Sequence, residues 1–216
     1  MNFLKKEIED YAESHTTPES DLLNRINRET HLKVLQPRML SGHYQGRVLS
    51  MFSRMLNPKN ILEVGTYTGY SAICLAEGLA KDGRIDTIDI NEELEPMVSQ
   101  YFKESGYSHQ IHFHIGNALD IIPKLNRRYD LVFIDADKEN YSAYWDAVFE
   151  KVQIGGYIIA DNVLWSGKVI DPVEIDSDRD TQSLVAYNEM VQNDGRVENI
   201  LLPVRDGLLI ARKIAG

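Results

Sequence analysis

Apolar residues in the first quarter of the chain recur at intervals of three and four, which is the period of an amphipathic helix. This spacing predicts three helices. The first covers residues 3–14, the second begins at the Thr17-Pro18-Glu19 cap, and the third runs from about Tyr44 until Asn57-Pro58 stops it. Residues 1–56 are therefore expected to form an N-terminal helical part.

From residue 57 onward, short apolar runs alternate with segments of helical spacing. Strands are expected over residues 60–64, 84–89, 110–115, 129–135 and 157–161, and helices over 70–80, 92–105, 118–125 and 141–151. Such alternation is typical of a parallel sheet that is covered by helices on both faces. The pattern predicts an α/β fold.

The pattern changes again near the C-terminus. Two apolar runs, Arg196 to Pro203 and Gly207 to Lys213, are separated by only three residues, so a hairpin must join them. One strand at or near the edge of the sheet is then antiparallel. Residues 165–180 are predicted to be the one long irregular connection, and they are acidic. We expect a single domain over residues 1–216, with the sheet core over 57–216.

Composition narrows the class of protein. The 216 residues are 43% hydrophobic and 26% charged, which is typical of a globular domain. A net charge of −10 argues against a general nucleic-acid or membrane-surface binder. The single cysteine, Cys74, excludes an internal disulfide and is expected in the core. The sequence shows neither a signal peptide nor a membrane span, so we expect a cytoplasmic protein with no membrane partner.

Residues that follow the predicted strands are the first candidates for a site, because ligands of open α/β sheets bind beyond the carboxyl ends of the strands. Gly65 and Gly69 allow a tight turn and close approach of the backbone to a ligand. Their spacing lacks the lysine of a phosphate loop and the third glycine of the dinucleotide fingerprint, which counts against a nicotinamide-dependent dehydrogenase. A nucleoside cofactor without phosphates fits better. Asp89, at the end of the next strand, can accept both ribose hydroxyls, although a solvated aspartate is the simpler alternative.

Two later strands end in oxygen ligands. Asp135 follows one strand, and Asp161 and Asn162 follow the next, so their side chains are expected on one rim of the sheet. Oxygen donors without Cys or His suit Mg²⁺ first, with Ca²⁺ or Mn²⁺ as alternatives. Lys138 lies three residues beyond Asp135, and a nearby divalent cation would lower its pKa and make it a usable general base. Capping of the following helices is the alternative role for these carboxylates.

Taken together, these motifs resemble those of a known enzyme family. The chain resembles the metal-dependent, S-adenosylmethionine-dependent O-methyltransferases of the caffeoyl-CoA and catechol O-methyltransferase family. The resemblance extends over nearly the whole chain and rests on four segments: Ile61 to Ser71, Thr87 to Asp89, Asp130 to Lys138 and Ile159 to Trp165. It implies the class I methyltransferase fold, a Rossmann-like seven-stranded sheet in which strand seven is antiparallel.

The resemblance also implies which residues contact the cofactor, S-adenosylmethionine (SAM). The matching positions lie in the glycine loop, at the ends of strands two to four and in the N-terminal segment: Ser41, Glu63, Gly65, Thr66, Ser71, Asp89, Asn117, Ala118, Asp135 and Asp137. Asp89 matches the ribose carboxylate, and Asn117-Ala118 match the turn on the adenine side. Asp135, Asp161 and Asn162 match the metal ligands. Asp135 and Lys138 are the implied catalytic residues, with Lys138 as the base.

The methyl acceptor is less determined by the sequence. A catechol-type phenol or its CoA ester ranks first, and a hydroxylated wobble uridine of tRNA is the alternative, since some bacterial relatives methylate it. Six basic residues stand out against one acid between residues 25 and 54: Arg25, Arg28, Lys33, Arg38, Arg47 and Arg54. They could form a solvated face, neutralise an acyl-CoA phosphate or hold RNA.

Two aromatic side chains and one imidazole are further candidates for a role near the substrate. Tyr141 and Trp165 are expected either to flank an aromatic substrate or to act as core or lid, and His43 could line the entrance. A homodimer formed through the N-terminal helices is expected, as in most of the family. A binding protein that keeps the fold without catalysis is a rival hypothesis, which the complete set of Asp135, Lys138, Asp161 and Asn162 opposes.

Overall fold

Seven strands define the architecture of the computed structural model, which describes residues 5–216. The strands are β1 (Asn60–Val64), β2 (Arg84–Asp89), β3 (Ile111–Ile115), β4 (Tyr129–Ile134), β5 (Val152–Asp161), β6 (Val197–Leu202) and β7 (Leu208–Lys213). They form one sheet in the order β3-β2-β1-β4-β5-β7-β6. β7 runs antiparallel to both β5 and β6, one place from the edge. The predicted parallel sheet with one antiparallel strand near its edge is confirmed.

The chain divides into two compact units, and residues 5–117 form the first. Its helices are α1 (Lys6–Ser14), α2 (Asp21–Lys33), α3 (Gly42–Leu56), α4 (Tyr70–Ala76) and α5 (Glu95–Glu104). The parallel strands β1, β2 and β3 pair in register, with Leu62 opposite Asp86 and Asp86 opposite His112. The first predicted helix begins at residue 3, but residues 3 and 4 lie outside the described residues.

Small residues let α3 pack closely against α4. A Cβ on Gly46 would lie 2.5 Å from the Tyr70 ring, and one on Gly78 would lie 2.2 Å from the backbone of Ser53. Arg47 of α3 forms two 2.9 Å contacts with Glu77, just beyond α4. α3 buries one leucine, Leu49, among small and polar residues, while Met55 on its other side is 75% exposed.

The start of α2 differs from the prediction. The helix begins at Asp21, and its cap is Ser20, whose hydroxyl accepts the backbone N–H of Leu23. Thr17-Pro18-Glu19 therefore precedes the helix instead of opening it. Ser20 takes the capping role because its hydroxyl is in place for a free N–H group of the first turn. α4 also ends at Ala76, four residues earlier than expected.

Residues 118–216 form the second unit. Its helices are α6 (Ala118–Ile121), α7 (Tyr141–Phe149), α8 (Pro172–Ser177) and α9 (Arg179–Gln192). β4 is the most deeply buried strand, since Leu131 to Ile134 have no exposed surface. An aromatic cluster joins α7 to α9, with Tyr187 packed edge-on against Tyr141 and Trp145.

β5 starts five residues earlier than predicted. Val152 pairs with Tyr129, and the next recorded pair is Tyr157 with Leu131, so residues 153–156 form a bulge. Gly155 has a φ of 87°, which glycine adopts without strain. The Gly155-Gly156 pair lies within β5, although glycine usually interrupts a strand.

The connection over residues 165–180 is largely helical, so the prediction of an irregular segment was wrong. It contains a 3₁₀ segment (Trp165–Ile170), all of α8 and the start of α9. Asp171 caps α8 by accepting the N–H of Val173, and Pro172 occupies the first turn. In the described part of the chain, no helix is long and apolar enough to cross a membrane.

Candidate functional site

The glycine loop after β1 in the first unit has the backbone shape that its sequence predicted. Gly65 has a φ of 103° and Gly69 a φ of 80°, both in the left-handed region. The Gly65 N–H donates to the carbonyl of Ile88 at 2.9 Å, which ties the loop to β2. Tyr67, between the glycines, also has a positive φ of 49°. This conformation turns the backbone N–H of Tyr67 toward the end of β2.

Asp89, at the end of β2, accepts that N–H. The distance from the Tyr67 nitrogen to Oδ2 is 2.6 Å, and the Asn91 nitrogen lies 2.8 Å from Oδ1. Both carboxylate oxygens are thus oriented by backbone donors, and each keeps acceptor capacity for a further hydrogen bond. Two fixed acceptors side by side suit a ligand with two neighbouring hydroxyl groups.

The other predicted residues of this loop are buried. Glu63 is fully enclosed and accepts a hydrogen bond from the Thr87 hydroxyl, which also contacts the Thr66 hydroxyl. Ser71, in the first turn of α4, is 6% exposed. The chain of hydroxyls fixes the Glu63 carboxylate at the carboxyl end of β1.

The N-terminal helical part is hydrogen-bonded to the same loop. The Thr30 hydroxyl of α2 donates to the Thr68 hydroxyl at 3.1 Å, and the Tyr67 hydroxyl donates to the carbonyls of Leu35 and Gln36. Ser41 is buried directly before α3. His43, predicted near an entrance, bonds through Nε2 to the carbonyl of Thr17 at 2.8 Å. The N-terminal part therefore supports the loop.

The turn after β3 is attached to the end of β2. The N–H of Gly116 donates to the carbonyl of Asp89 at 2.8 Å. Asn117, the next residue, is exposed, and Ala118 begins the second unit as a buried residue.

In the second unit, the parallel register of β4 and β5 aligns the predicted metal ligands. Ile134 lies opposite Ala160, so Asp135 and Asp161 are the next residues on paired strands. In-register neighbours on parallel strands point to the same face, about 5 Å apart. Asn162 follows with a φ of 59°, and its N–H donates to Asp161 Oδ1 at 2.7 Å. The described residues contain no group of three His, Cys, Asp or Glu side chains that could hold a metal, so a cation here would need the amide of Asn162.

Lys138 is buried beside these ligands. It begins a 3₁₀ turn (Lys138–Asn140) and is 7% exposed. Its Nζ lies 3.2 Å from Asp135 Oδ1 and 2.7 Å from the Tyr141 hydroxyl. The Trp165 ring lies 5.9 Å from the same nitrogen. Lys138 is thus held between a carboxylate, a phenol and an indole.

Tyr141 does not flank a substrate, because it has no exposed surface. Its hydroxyl lies 3.0 Å from the backbone carbonyl of Asp161. Burial, with added repulsion from Asp135 and Asp161, raises the pKa of Tyr141 well above its ordinary value of 10.0. The phenol therefore stays neutral. The core role is the one that the structure supports.

The segment after β5 has a strained backbone. Trp165, Ser166 and Gly167 have φ values of 45°, 55° and 83°, and a left-handed tryptophan is uncommon. The Trp165 Nε1–H donates to Asp178 at 3.3 Å, and the Ser166 N–H donates to Asp206 in the hairpin turn. These two aspartates fix the indole near Lys138.

Asp137 is engaged by its own helix. Both of its carboxylate oxygens accept hydrogen bonds, one from the Tyr144 hydroxyl and one from the Asn140 amide. Its side chain is exposed at the surface. A cofactor contact by Asp137 stays a prediction.

The basic residues between positions 25 and 54 are mostly neutralised. Four of them form ion pairs: Arg25 with Glu104, Lys33 with Glu29, and Arg47 and Arg54 with Glu77. Paired charges offer little to phosphates. A structural or solvated role explains the enrichment, and nothing here supports the tRNA alternative.

Three contributors to these sites were not predicted. The backbone N–H of Tyr67 carries no side-chain signature, and Asp178 and Asp206 act on Trp165 from distant positions in the sequence. The hydrogen bond between Lys138 and Tyr141 is different, because the sequence spacing indicates it: side chains three residues apart lie close together at the start of a helix.

Comparison with known proteins gives a consistent result. The O-methyltransferase family matches residues 13–214. A caffeoyl-CoA O-methyltransferase of Medicago sativa is 36% identical over 190 residues, covering 82% of this chain and 75% of the relative.

Solved structures of two O-methyltransferases have the same fold as this chain. The O-methyltransferase TomG of Streptomyces achromogenes, in complex with SAM, superposes with a TM-score of 0.87 at 28% identity and covers 97% of this chain and 96% of its own. An O-methyltransferase of Bacillus cereus, in complex with SAH, gives 0.88 at 27% identity, with coverages of 96% and 97%.

Proposed function

The chain belongs to the O-methyltransferase family and has the class I methyltransferase fold, and from that premise we propose that it transfers a methyl group from SAM to a hydroxyl of a catechol-type small molecule or its CoA ester in a metal-dependent reaction. The observation that carries the proposal is the arrangement in the second unit. There Asp135 and Asp161 directly follow the paired residues Ile134 and Ala160, and a buried Lys138 contacts Asp135.

The first unit supplies most of the residues that would hold SAM. Asp89 is fitted for the ribose, because backbone donors aim both of its oxygens while leaving lone pairs. Glu63, Thr66 and Ser71 are buried in or beside the loop. We assign Ser41, Gly65, Asn117, Ala118 and Asp137 to the same cofactor by their match to the family motif. SAM, when bound, supplies a methyl group that its sulfonium activates.

The second unit supplies the residues that would hold a divalent cation. Two carboxylates and one amide, from Asp135, Asp161 and Asn162, form an oxygen donor set that suits Mg²⁺, with Ca²⁺ or Mn²⁺ as alternatives. The raised pKa of Tyr141, to which burial contributes most and Asp135 and Asp161 add, fits a site of concentrated negative charge. A bound cation would lower the pKa of a vicinal diol that it contacts.

Lys138 is the proposed proton acceptor. The acceptor hydroxyl loses its proton to Lys138 Nζ, which becomes an ammonium. A bound SAM would supply the methyl group to this oxygen, with the carbon–sulfur bond breaking as the oxygen–carbon bond forms and S-adenosylhomocysteine as the leaving group. Burial under Trp165 keeps water away from Nζ, and Asp135 lies 3.2 Å away to stabilise the resulting charge.

A small aromatic acceptor is favoured over RNA. The acidic composition counts against binding of tRNA phosphates, and Arg47 and Arg54 are ion-paired with Glu77. Trp165 provides an aromatic ring next to Lys138, against which a planar phenol would stack. The Medicago sativa relative is named for a CoA ester, which makes such esters a reasonable second group of acceptors.

The decisive experiment measures methyl transfer from labelled SAM to a panel of catechols, catechol-type CoA esters and bulk tRNA, with and without EDTA. We expect product with catechols or their esters, loss of product in EDTA and recovery on adding Mg²⁺. Transfer to tRNA alone would overturn the acceptor assignment, and full activity in excess EDTA would overturn the metal assignment. Asp161→Asn should reproduce the EDTA result, whereas Asp176→Asn, an exposed substitution on α8, should not.

We also propose that the enzyme is a homodimer that pairs through the N-terminal helices. Met51 and Met55, one turn apart on α3, are 58% and 75% exposed, which leaves an apolar stripe uncovered. Light scattering at micromolar concentration should give twice the chain mass, and Met55→Lys should shift the mass toward the monomer. A monomer mass for the unaltered chain would refute the dimer.

A further inference from the structure

Tyr141 is a buried polar residue that the mechanism has not used. It begins α7, directly after the 3₁₀ turn that carries Lys138. Its hydroxyl oxygen lies 2.7 Å from Lys138 Nζ and 3.0 Å from the backbone oxygen of Asp161. A fully buried phenol that contacts both a candidate base and a candidate ligand residue is poorly explained by packing alone.

The directions of these hydrogen bonds follow from the chemistry of the groups. A carbonyl oxygen only accepts, so the single proton of the Tyr141 hydroxyl is donated to the carbonyl of Asp161. The lone pairs of the hydroxyl oxygen are then left to face Lys138. Tyr141 is therefore an acceptor for an N–H of Lys138.

The remaining contact of Lys138 completes the geometry. Asp135 Oδ1, 3.2 Å from Nζ, is also an acceptor. Two acceptors, one on each of these residues, therefore hold Nζ in place. We propose that Tyr141 is a positioning residue that fixes Lys138 Nζ for removal of a proton from the methyl acceptor, an inference that rests on the proposed function.

A purely structural role makes a different prediction. Tyr141 packs edge-on against Tyr187, with ring centroids 5.4 Å apart, and both side chains are almost fully buried. If the aromatic ring alone matters, removing the hydroxyl of either tyrosine should have similar effects. Tyr187→Phe is therefore the matched control, since within the described residues its hydroxyl has no recorded hydrogen bond to Lys138 or Asp161.

The test compares single-turnover rates of the unaltered enzyme, Tyr141→Phe, Tyr187→Phe, Lys138→Met and the double variant Lys138→Met/Tyr141→Phe. The loss of one orienting hydrogen bond should slow methyl transfer about tenfold in Tyr141→Phe. The KM of the acceptor and the Kd of S-adenosylhomocysteine should not change. The defect should be largest with weakly acidic phenols, which depend most on the base. Tyr187→Phe should keep the unaltered rate.

The double variant tests whether Tyr141 acts through Lys138. If it does, the double variant should be no slower than Lys138→Met alone, because there is no amine left to orient. An unchanged rate in Tyr141→Phe, a defect equal to that of Tyr187→Phe, or full additivity in the double variant would each overturn the positioning role. An unaltered enzyme that methylates none of the panel would instead overturn the proposed function.

Discussion

The strand-end carboxylates of the two units are held by different chemistry. In the first unit, Asp89 is oriented by the backbone N–H groups of Tyr67 and Asn91, which are neutral and do not titrate at ordinary pH. In the second unit, Asp135 faces the titratable Lys138, which also contacts Tyr141. The same position in the fold, one residue beyond or at the end of a parallel strand, thus gives a carboxylate held by backbone donors in one unit and a carboxylate beside the proposed base in the other.

This difference separates binding from chemistry. A carboxylate fixed by peptide groups keeps its geometry whatever the protonation state of its neighbours, which suits recognition of a cofactor. A carboxylate beside an amine responds to the charge on that amine, which suits catalysis. We therefore expect substitution of Asp89 to change cofactor affinity and substitution of Lys138 to change the rate of the chemical step.

The largest expected effect is on the rate. Lys138→Met keeps an unbranched side chain but removes the base, and loss of a general base typically slows the chemical step by about 10²–10⁴-fold. Cofactor affinity should be unchanged. The defect should shrink at higher pH and with more acidic phenols, because the acceptor then ionises without help. Single-turnover rates across phenols of graded acidity measure this.

The exposed Lys124 offers a control for the loss of one positive charge, and Lys124→Met should behave like the unaltered enzyme. A defect in Lys138→Met that does not vary with acceptor acidity would assign Lys138 a role in holding Asp135 instead of proton transfer.

The next effect is on affinity. Asp89→Asn removes the charge that the backbone donors and the ribose share, which should weaken binding of S-adenosylhomocysteine by about 1.5–3 kcal/mol, or roughly 10–150-fold. At saturating SAM the rate of the chemical step should be close to that of the unaltered enzyme. Titration calorimetry gives the affinity, and Asp82→Asn, an exposed substitution before β2, is the control. Unchanged affinity would mean that the ribose binds elsewhere.

The smallest effect concerns a carboxylate on the same strand that serves neither binding nor catalysis. Asp86 is fully buried, and although burial alone would raise its pKa, hydrogen bonds from His114 and Arg84 lower it to about 2. A folded-state pKa below the ordinary 3.8 stabilises the protein above pH 4, and the contribution is lost as pH falls toward 2. Asp86→Asn should therefore cost about 2 kcal/mol at pH 7.

Urea unfolding at several pH values tests this prediction. The difference in unfolding free energy between the unaltered protein and Asp86→Asn should be constant from pH 7 to pH 4 and then narrow. A difference independent of pH down to 2.5 would show that Asp86 contributes through packing and not through its charge.

The strands and the ligand-bearing strand ends could be predicted because both follow from local rules. Apolar alternation located β2 and β4, and the aspartates at the ends of these two runs are Asp89 and Asp135. The register of β4 with β5 was implied once both strands were recognised as parallel neighbours. The prediction of an irregular segment over residues 165–180 was wrong because it followed their acidic composition. The pair Asp171-Pro172 is typical of a helix start and indicates α8.

The supports of these residues could not be predicted, because they depend on tertiary placement. Asp206 reaches Ser166 across forty positions of sequence. The sequence leaves two roles open for Tyr141, contact with a substrate or burial in the core, because an aromatic residue next to the Asp135–Lys138 motif is compatible with both. Only the packing of α7 on α9 decides between them. The Tyr67 N–H is a backbone group, and no residue type encodes it.

The bulge in β5 has a consequence for how the protein tolerates changes in length. One residue added between Tyr157 and Asp161 would turn Asp161 to the opposite face of the sheet, since side chains alternate along a strand. One residue added at 153–156 would enlarge a segment that already lies outside the pairing with β4. Insertions and deletions should therefore be tolerated at residues 153–156 and excluded between Tyr157 and Asp161. The bulge is thus a permissive site for grafting short peptides into this enzyme.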